Sequence, residues 1–430
     1  MDKENVSAVA EVAYFGRSKS LKGRTAMEAP PIGFPEVGRS EADVWDELHE
    51  TLGRNLPASR NWATYGCEAH SFAKRVYAIP EAIDSYAIEF YREIYPGVLD
   101  MSQQTVRMIG SLLNAADPYG FITTGGTEAN LLAVRLARNL GGVDRPELIV
   151  PETRHYSFDL ASELFGVTLR LIPVNDDRSL DLDATRKMVN ASTVGIVCAA
   201  PEMFMGTVDP VEAVAEIAVA HRLYMHVDAA IGGFMLPFLD RLGRRIPPFA
   251  FRVPPVMSMT VDPHKLGMCP RPAGALILRD RSVLDRGIDL ERVTIDTLVA
   301  SGRPGAATAA VWSMIQHLGT DGYMERVRHQ MGIVELIAET VKTIPGMRLL
   351  VEPETNILCF TTGDEVEMQA ISRELWARQW AVPLNPLVPT GLQHLRVYVH
   401  PLKERSTAQE FLADLAEAVL RVRSGEGARP

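Results

Sequence analysis

The stretch Ser258-Met259-Thr260-Val261-Asp262-Pro263-His264-Lys265-Leu266-Gly267 decides the fold and its chemistry, because it puts a lysine directly after an apolar, strand-like run. In α/β sheets, ligands bind at the carboxyl ends of the strands. Lys265 is therefore predicted at a ligand-binding edge, with His264 before it and a glycine after it. An amine in that place can form a Schiff base with an aldehyde, and the ordinary alternative is a solvated surface lysine.

A second strand-like run, Tyr224-Met225-His226-Val227-Asp228, ends on a carboxylate. A buried carboxylate at a strand end costs free energy unless a cation pairs with it. The protonated pyridine nitrogen of pyridoxal phosphate is such a cation, and an acidic partner makes that ring an electron sink. The structural alternative for Asp228 is an N-cap of the segment that follows.

A glycine-rich turn, Thr123-Thr124-Gly125-Gly126-Thr127-Glu128-Ala129-Asn130, leads from a strand into a helix. Its glycines let the backbone approach a ligand, and the N-terminal N–H groups of the helix favour an anion such as phosphate. The spacing does not match the dinucleotide fingerprint and lacks the lysine of a P-loop, which disfavours a nucleotide. Taken singly, a glycine-rich turn is weak evidence, since most are only turns.

His155 follows the strand-like run Leu148-Ile149-Val150 and so falls at the same predicted edge. A flat imidazole there can stack on a cofactor ring and transfer protons, whereas a packed or hydrogen-bonded histidine is the structural alternative. The phosphate turn, His155, Asp228 and Lys265 follow one another at successive predicted strand ends. That joint arrangement is much more specific than any one of its members.

The pattern around these motifs predicts the fold class. Strand-like runs alternate with helical ones, which indicates a mostly parallel sheet covered by helices on both faces. The strand-like runs lie at residues 148–150, 168–172, 194–199, 224–227, 256–260 and 275–278.

The pattern changes after about residue 305. Long helical stretches at 306–318 and 322–343 precede shorter strands and helices, which predicts a smaller C-terminal domain of α+β type. We therefore predict an N-terminal segment at residues 1–70 and a large domain at 71–305. A connecting helix and the small domain are predicted at 306–430.

Composition excludes several classes of protein. With 430 residues, 47% of them hydrophobic and 23% charged, the chain resembles soluble globular proteins. The net charge of −10, without a Lys/Arg-rich block, gives no electrostatic footprint for nucleic acid or an anionic membrane. The sequence also predicts no signal peptide, no membrane-crossing run and no metal-binding cysteine motif, which together indicate a cytoplasmic location. The cysteines lie far apart, at Cys67, Cys198, Cys269 and Cys359.

The four motifs resemble those of the fold-type-I pyridoxal-phosphate enzymes, in the group II amino-acid decarboxylase superfamily that also contains sphingosine-1-phosphate lyase. The resemblance runs from about Tyr95 to Ala418. It implies a seven-stranded, mostly parallel sheet flanked by helices, pyridoxal 5'-phosphate as cofactor, and a homodimer with shared active sites. Residues 200–210 resemble the lyase branch, whereas residues 262–265 are similar to the small archaeal tyrosine or aspartate decarboxylases.

The resemblance also implies roles for individual residues. Lys265 would form the Schiff base, Asp228 would face the pyridinium nitrogen, and His155 would stack on the ring, so that these three are the catalytic residues. Gly302 lies in a segment that would reach the phosphate of the neighbouring subunit's cofactor. Besides these four, the implied cofactor-binding residues are Gly126, Thr127, Ala230 and His264.

Three further residues are predicted to contact the substrate. Tyr65 lies where the lyase branch has a tyrosine that contacts substrate phosphate, and Arg271 lies near the position of a lysine with that task. Arg396 is similar to small-domain arginines that bind a substrate carboxylate, with a structural ion pair as the alternative. Trp62 and His70 are additional pocket candidates, and Trp62 and Tyr65 could equally be core aromatics.

The implied function is an L-amino-acid α-decarboxylase that acts through a Lys265 Schiff base and a quinonoid intermediate. The alternatives are retro-aldol cleavage of a β-hydroxy amine and a cofactor-binding paralogue without lyase activity. The chain departs from the family pattern in having no tyrosine between Lys265 and Gly302, where both branches usually place a proton donor. His155 and Lys265 are the remaining proton donors. A second departure is Glu202-Met203, which replaces a Thr-Thr pair of many decarboxylases.

Overall fold

Two β-sheets form the framework of the computed structural model, which describes residues 37–66, 68–175, 179–288, 303–387 and 391–426. The larger sheet has seven strands in the order β1-β7-β6-β5-β4-β2-β3. These strands are β1 (Tyr119–Thr123), β2 (Glu147–Pro151), β3 (Thr168–Ile172), β4 (Thr193–Ala199), β5 (Tyr224–Asp228), β6 (Val256–Val261) and β7 (Gly274–Leu278).

In the larger sheet, only β7 runs against its neighbours. All other neighbouring pairs are parallel, which confirms the predicted mostly parallel sheet. Each of the six strand-like runs coincides with a strand. The strand that precedes the glycine-rich turn, β1, was missing from those runs because Gly120 interrupts its apolar pattern. At that glycine a Cβ atom would lie 2.0 Å from the carbonyl oxygen of Leu276, so no larger residue fits.

Helices surround both sheets, and none of those described is long and apolar enough to cross a membrane. The α-helices are α1 (Glu41–Leu52), α2 (Ser71–Tyr77), α3 (Pro80–Ile83), α4 (Pro96–Leu112), α5 (Gly126–Gly141), α6 (Ser157–Phe165), α7 (Leu182–Met188), α8 (Val211–His221), α9 (Leu236–Arg241), α10 (Arg281–Gly287), α11 (Gly305–Thr343), α12 (Glu365–Ala377) and α13 (Arg405–Arg423).

The strands of the larger sheet bury side chains on both faces. Along β4, Ile196 and Cys198 belong to one apolar cluster and Val197 to another, as the two-residue repeat of a strand requires. Helices α5, α6 and α10 cover the face of Val197, and helices α4, α8, α9 and α11 cover the other. In a sheet covered in this way, ligands bind at the carboxyl ends of the strands.

The smaller sheet is antiparallel and follows the long helix α11. Its strands stand in the order β10-β11-β9-β8, which confirms a smaller C-terminal sheet domain. Helix α11 contains Gly319 in a non-helical conformation (φ 54°, ψ −165°), at the break predicted between residues 318 and 322. The domain boundaries themselves stay predictions. The strands are β8 (Arg348–Leu349), β9 (Ile357–Thr361), β10 (Leu384–Leu387) and β11 (Leu392–Tyr398).

The N-terminal segment divides into two parts that pack differently. Helix α1 has no buried residue. Farther along, Trp62 is fully buried against Phe411 and joins the smaller sheet through two backbone hydrogen bonds. Its N–H donates to the carbonyl of Ala381 (3.0 Å), and its carbonyl accepts from the N–H of Tyr398 (3.0 Å). Trp62 is therefore a core residue rather than a pocket residue.

Candidate active site

The carboxyl edge of the larger sheet brings three of the predicted motifs together around Gly126. A Cβ atom on Gly126 would lie 2.8 Å from Oδ2 of Asp262, 3.2 Å from Cγ2 of Thr260 and 3.3 Å from Cβ of Ala230. The turn after β1 therefore packs directly against the ends of β5 and β6. Only a residue without a side chain fits at this crossing.

The same turn forms an anion-binding feature. Helix α5 begins at Gly126, and no described side chain caps its first N–H groups. The helix has 16 residues, so its N-terminus carries a substantial partial positive charge. His264 lies against the turn, because a Cβ on Gly125 would be 3.2 Å from its Cε1 atom. Gly126, Thr127 and His264 thus meet at a place suited to a phosphate.

We predict that Gly126→Ala weakens cofactor binding. The new methyl group would overlap the Asp262 carboxylate, so the turn must move away from β6, and we expect at least about a tenfold loss of affinity from overpacking of this size. Titrating the apoprotein with pyridoxal phosphate by fluorescence measures the change. Gly332→Ala is the matched control, because a Cβ there has no neighbour within 4 Å in helix α11. Equal affinities of the two variants would contradict the prediction.

Lys265 lies just beyond β6 and is held by groups from three parts of the chain. Its Nζ atom forms an ion pair with Oδ2 of Asp262 at 3.0 Å and lies 5.1 Å from the ring centre of Tyr65. Its backbone carbonyl contacts Nε2 of His400 at 3.2 Å, from the segment after β11. The Lys265 side chain is 13% exposed, so these contacts orient it without burying it completely.

Asp228 ends β5 as a buried carboxylate with two hydrogen bonds. Its Oδ1 atom accepts from the N–H of Ala230 (3.1 Å) and Oδ2 from Nδ2 of Asn130 (2.8 Å). The next helical turn, Gly232–Phe234, has no side-chain cap, so Asp228 does not act as its N-cap. Among the described residues, no cationic side chain lies within 4.0 Å of this carboxylate. A buried acid of this kind suits a cationic ring nitrogen.

His155 follows β2 and is fixed through one ring nitrogen. Nδ1 accepts the N–H of Ser157 at 3.2 Å and lies 2.9 Å from its Oγ atom. Burial lowers the pKa of His155 from its usual value, while the nearby charge of Asp228 opposes that shift and Lys265 adds to it. His155 is therefore a neutral imidazole at pH 7 in the protein without cofactor. Its electrostatic coupling to Asp228 and Lys265 places these three predicted catalytic residues in one site.

Comparison with known proteins decides the family. The family model of the pyridoxal-dependent decarboxylase conserved domain matches residues 79–362. The chain belongs to this family. It is 38% identical over 403 residues to the L-aspartate decarboxylase of Thermococcus kodakarensis, covering 90% of this chain and all of that protein. It is 37% identical over 394 residues to the L-aspartate/L-glutamate decarboxylase of Pyrococcus horikoshii, covering 90% and 99%.

A solved structure agrees with the fold. The sphingosine-1-phosphate lyase of Burkholderia pseudomallei has a TM-score of 0.81 at 28% identity, over 93% of this chain and 96% of that one. The protein is a pyridoxal-phosphate-dependent carboxy-lyase of fold type I, which confirms the cofactor and the enzyme class expected from the sequence. The retro-aldol alternative is not favoured, because the curated relatives with 37% and 38% identity are named as decarboxylases.

The residues present in this decarboxylase fit the cofactor. Three features lie around Lys265. They are Gly126, where a Cβ atom would clash, the uncapped N-terminus of α5, and the buried Asp228 carboxylate, which has no cationic partner among the described residues. Gly302 lies outside the described residues, as do residues 289–301 of the segment between Lys265 and Gly302 that lacks a tyrosine. Arg303, next to it, is buried, and its Nη1 atom donates to the carbonyl of Ile122 (2.5 Å).

Two of the predicted substrate residues, Tyr65 and Arg396, belong to a group of rings and cations, called here the stack, although its two tyrosine rings are tilted by 45°. The hydroxyls of Tyr65 and Tyr398 both donate to the carbonyl of Met203, at 2.8 and 3.0 Å. Their ring centres are 3.8 Å apart. The guanidinium of Arg396 lies 5.1 Å from the Tyr398 ring and 5.4 Å from the Phe204 ring. Tyr65 therefore connects Lys265 to a buried arginine across the two domains.

The loop that carries Met203 is organised by the unusual Glu202. Its carboxylate accepts the N–H groups of Phe204 (2.7 Å), Met205 and Gly206 (2.9 Å). This turn orients the Met203 carbonyl toward both tyrosines and sets the Phe204 ring against Arg396. The replacement of Thr-Thr by Glu202-Met203 thus has a structural result that the sequence alone did not reveal.

Two predicted pocket residues lie elsewhere. Arg271 is exposed and lies beside Gly66 and His264, on the phosphate side of the site rather than in the ring stack. The Nδ1 atom of His70 accepts the N–H of Phe72 (3.2 Å) and so caps α2. These positions separate Arg271 and His70 from Arg396, the buried arginine of the stack.

Sequence reasoning missed three buried polar residues of the site. Asp262 pairs with Lys265, Asn130 bonds Asp228, and His226 lies behind Asn130. Each stands inside a motif that had been singled out, three residues before Lys265, at the end of the glycine-rich turn, and two residues before Asp228. Position on the inner face of a helix or strand was the available signal, because a polar residue there needs a buried partner.

His400 gives this decarboxylase a pH-dependent contribution to stability. Its Nδ1 atom accepts the N–H of Leu402 at 3.2 Å, so Nε2 carries the proton and donates to the carbonyl of Lys265. Burial lowers the pKa of His400 to about 4, with the Lys265 carbonyl opposing the shift. The unfolded chain would titrate near pH 6.5. Protonation therefore favours unfolding, and stability is lost as the pH falls from 6.5 to about 4.

We expect His400→Gln to remove this loss, because glutamine keeps an N–H donor without titrating. Between pH 7 and pH 4, the unfolding free energy of the wild type should fall relative to the variant by about 3 kcal/mol. Urea unfolding of both proteins at a series of pH values measures the difference. A difference independent of pH would show that His400 is not buried in its neutral form.

Proposed function

We propose that this protein removes the α-carboxylate of L-aspartate, releasing CO2 and β-alanine. The observation that carries the proposal is the buried guanidinium of Arg396, connected to Lys265 through Tyr398 and Tyr65. Aspartate has two carboxylates. The α-carboxylate leaves as CO2, and the side-chain carboxylate needs a cationic group of the protein to bind it. Full-length similarity to proteins named as aspartate decarboxylases supports the same substrate.

The proposal assigns the cofactor contacts to residues of the carboxyl edge. Lys265 would bind the aldehyde carbon of the cofactor through Nζ, and Asp228 would accept a hydrogen bond from the protonated ring nitrogen. His155 would lie against one ring face, with Ala230 on the other. Bound pyridoxal phosphate supplies an electron sink for the carbon that loses CO2. The phosphate would lie at the N-terminus of α5, near Gly126, Thr127, His264 and the Gly302 of the neighbouring subunit.

Proton transfer in this proposal falls to groups that the chain itself provides. The Nζ atom of Lys265, when it is not bound to the cofactor, would be placed to return a proton to Cα. Asp262, 3.0 Å from Nζ, would keep that amine oriented. His155 is the second proton donor, through the Nε2 atom left free when Nδ1 bonds Ser157. These groups would take over the task of the absent loop tyrosine.

Arg396 would orient the substrate by binding a carboxylate. It is 2% exposed, and the charge of a guanidinium in so dry a place strengthens its attraction to an anion. The rings of Phe204 and Tyr398 lie near the guanidinium, and Asn385 accepts from Nη2 at 3.3 Å. The rings and the amide hold the guanidinium in one place, so that it would present a fixed cation to the substrate.

A product assay on the holoenzyme tests the proposed function. Purified protein with excess pyridoxal phosphate is incubated with L-aspartate, L-glutamate, L-tyrosine or phosphoethanolamine, and CO2, amine and aldehyde are quantified. We expect β-alanine and CO2 in equal amounts from L-aspartate, with kcat/KM highest for this substrate and none for D-aspartate. Aldehyde release, or a higher kcat/KM for L-tyrosine, would overturn the proposal. A bound cofactor whose spectrum no amine changes would favour the inactive paralogue.

We further propose that the enzyme acts as a homodimer with shared active sites. Helix α1 supports this, because Val44, Trp45, Leu48 and Leu52 are all between 40% and 54% exposed. These four residues lie on one side of the helix at the spacing of an amphipathic face. Sedimentation equilibrium should give about twice the chain mass of 47.4 kDa. A monomer that retains full activity would overturn this part.

A further inference from the structure

A buried polar network behind Asp228 is not used by the proposed function. It joins α5, β5 and β6, and its central residue is Asn130, which is 1% exposed. Around it lie Ser157 on one side and His226, Thr260 and Ser258 on the other. All five side chains are buried, and buried polar groups persist only when their hydrogen bonds are made.

The bonds of Asn130 determine which way its amide points. Nδ2 lies 2.8 Å from the acceptor oxygen of Asp228 and 2.9 Å from Oγ of Ser157, so both of its hydrogens are donated. Oδ1 accepts from Oγ1 of Thr260 at 2.6 Å and from Nε2 of His226 at 3.1 Å. All four hydrogen-bonding capacities of the amide are therefore used, in one orientation only.

On the β5 side, this orientation fixes the proton of His226. Because Oδ1 of Asn130 can only accept, Nε2 of His226 carries the hydrogen. Burial lowers the pKa of His226 to about 4, with Asp228 opposing, so the ring is neutral and Nδ1 is an acceptor. Nδ1 then accepts the hydroxyl of Ser258 at 2.7 Å, and Ser258 accepts the hydroxyl of Tyr224 at 2.6 Å.

On the α6 side, the same orientation fixes the proton of His155. Oγ of Ser157 accepts from Asn130, so its own hydrogen is free to go to Nδ1 of His155, 2.9 Å away. The backbone N–H of Ser157 points to the same nitrogen at 3.2 Å. With two donors at Nδ1, neutral His155 carries its hydrogen on Nε2. The amide of Asn130 therefore connects Asp228, the proposed partner of the ring nitrogen, to His155, which would lie against the ring face.

We propose that Asn130 is a positioning residue that holds the Asp228 carboxylate as a pure hydrogen-bond acceptor and sets the tautomer of His155. The proposal rests on the proposed function only in taking Asp228 and His155 as cofactor contacts. Asn130 itself acts through these two residues. The other charged groups that face His155 are Lys265, Asp262 and Asp159, and all three stay unchanged in the test below.

Asn130→Asp tests the proposal with almost no change in shape. Nδ2 becomes an oxygen, so the hydrogen bond donated to Asp228 is replaced by a contact between two carboxylates. The Ser157 hydroxyl then faces an acceptor and can turn its hydrogen away from His155. A hydrogen bond to a charged group accounts for roughly a tenfold to hundredfold change in an equilibrium constant. We expect the dissociation constant for pyridoxal phosphate to rise by that factor. The pH at which the absorbance of the bound cofactor changes should shift as well.

Asn139→Asp is the matched control, because Asn139 lies on the same helix and is exposed. Its amide donates to the carbonyl of Gly287 (2.9 Å) and accepts from Nη1 of Arg138 (3.5 Å), so it contacts neither Asp228 nor Ser157. The proposal would be overturned if Asn130→Asp bound pyridoxal phosphate as tightly as Asn139→Asp and its bound cofactor changed absorbance at the same pH. Neither measurement requires turnover of aspartate, so failure of the proposed substrate would leave this result interpretable.

Ser157→Ala keeps the inference testable if Asn130→Asp does not fold. This variant removes the hydroxyl between Asn130 and His155 while leaving the backbone N–H in place. We expect cofactor affinity to change by less than about threefold, because Asp228 keeps its bond to Asn130. The pH profile of kcat should shift, because only one donor then remains at Nδ1 of His155 and a proton on that nitrogen becomes less unfavourable. A pH profile identical to that of the wild type would overturn the link between Asn130 and His155.

Discussion

Lys265→Ala is expected to abolish decarboxylation together with the absorbance band of covalently bound cofactor. The amine is the accessible nucleophile at the end of β6, and Asp262 pairs with its Nζ atom at 3.0 Å. In the proposed mechanism, alanine would remove both the covalent attachment and the proton that Nζ returns to Cα. Removing a group that acts at two steps should lower kcat by at least about a thousandfold.

The measurement compares kcat and the absorbance spectrum of wild type and variant at saturating pyridoxal phosphate. Lys342→Ala is a suitable control, since Lys342 lies on the surface and pairs with Glu339 and Glu352. The N-terminus of α5, proposed to hold the phosphate, is unchanged in the Lys265 variant, so the variant should still bind the cofactor without covalent attachment. A retained absorbance band would contradict the assignment of the whole site.

Asp228→Asn is expected to have the second largest effect. Both oxygens of Asp228 accept hydrogen bonds, from Ala230 and from Asn130. An asparagine amide must face one of these donors with its own N–H group, whichever way it turns, and it carries no charge to hold a proton on a ring nitrogen. Loss of a stabilising charge at a reacting centre lowers kcat by about a hundredfold to a thousandfold.

Steady-state assays with L-aspartate measure this effect, and the absorbance of bound cofactor shows whether the site is still occupied. Asp240→Asn serves as a control, because Asp240 is partly exposed and pairs only with Arg252 among the described residues. If Asp228→Asn kept wild-type kcat with full cofactor occupancy, Asp228 would not be the partner of the ring nitrogen.

The larger sheet could be predicted from the sequence because strand-like and helical runs alternate regularly along the chain. Strand-like runs with apolar residues on both faces allowed only a covered, mostly parallel sheet, and the motifs fell at its carboxyl edge. Lys265, Asp228 and Gly126 could be singled out because each is a residue type whose chemistry is informative at a strand end. Their roles toward the cofactor stay predictions, although the geometry brings them together.

What the sequence could not reveal depends on contacts between distant segments. Nothing near Asn130 indicates that its amide meets both Asp228 and Ser157, because these partners come from two other elements. The stack of Tyr65, Tyr398 and Arg396 likewise joins the N-terminal segment to the small sheet. Such contacts have no period or spacing along the chain, so pattern analysis cannot find them.

The attachment of the N-terminal segment to the small sheet has a consequence for biosynthesis. Lys403 donates to the carbonyl of Ser59 at 2.8 Å, across 344 positions of the chain. On the ribosome, where domains generally fold as units from the N-terminus, every strand of the larger sheet is available once residue 278 has emerged. Trp62 cannot form its two backbone hydrogen bonds until Ala381 and Tyr398 have been translated. The nascent chain thus carries an unpaired aromatic segment that chaperones can recognise.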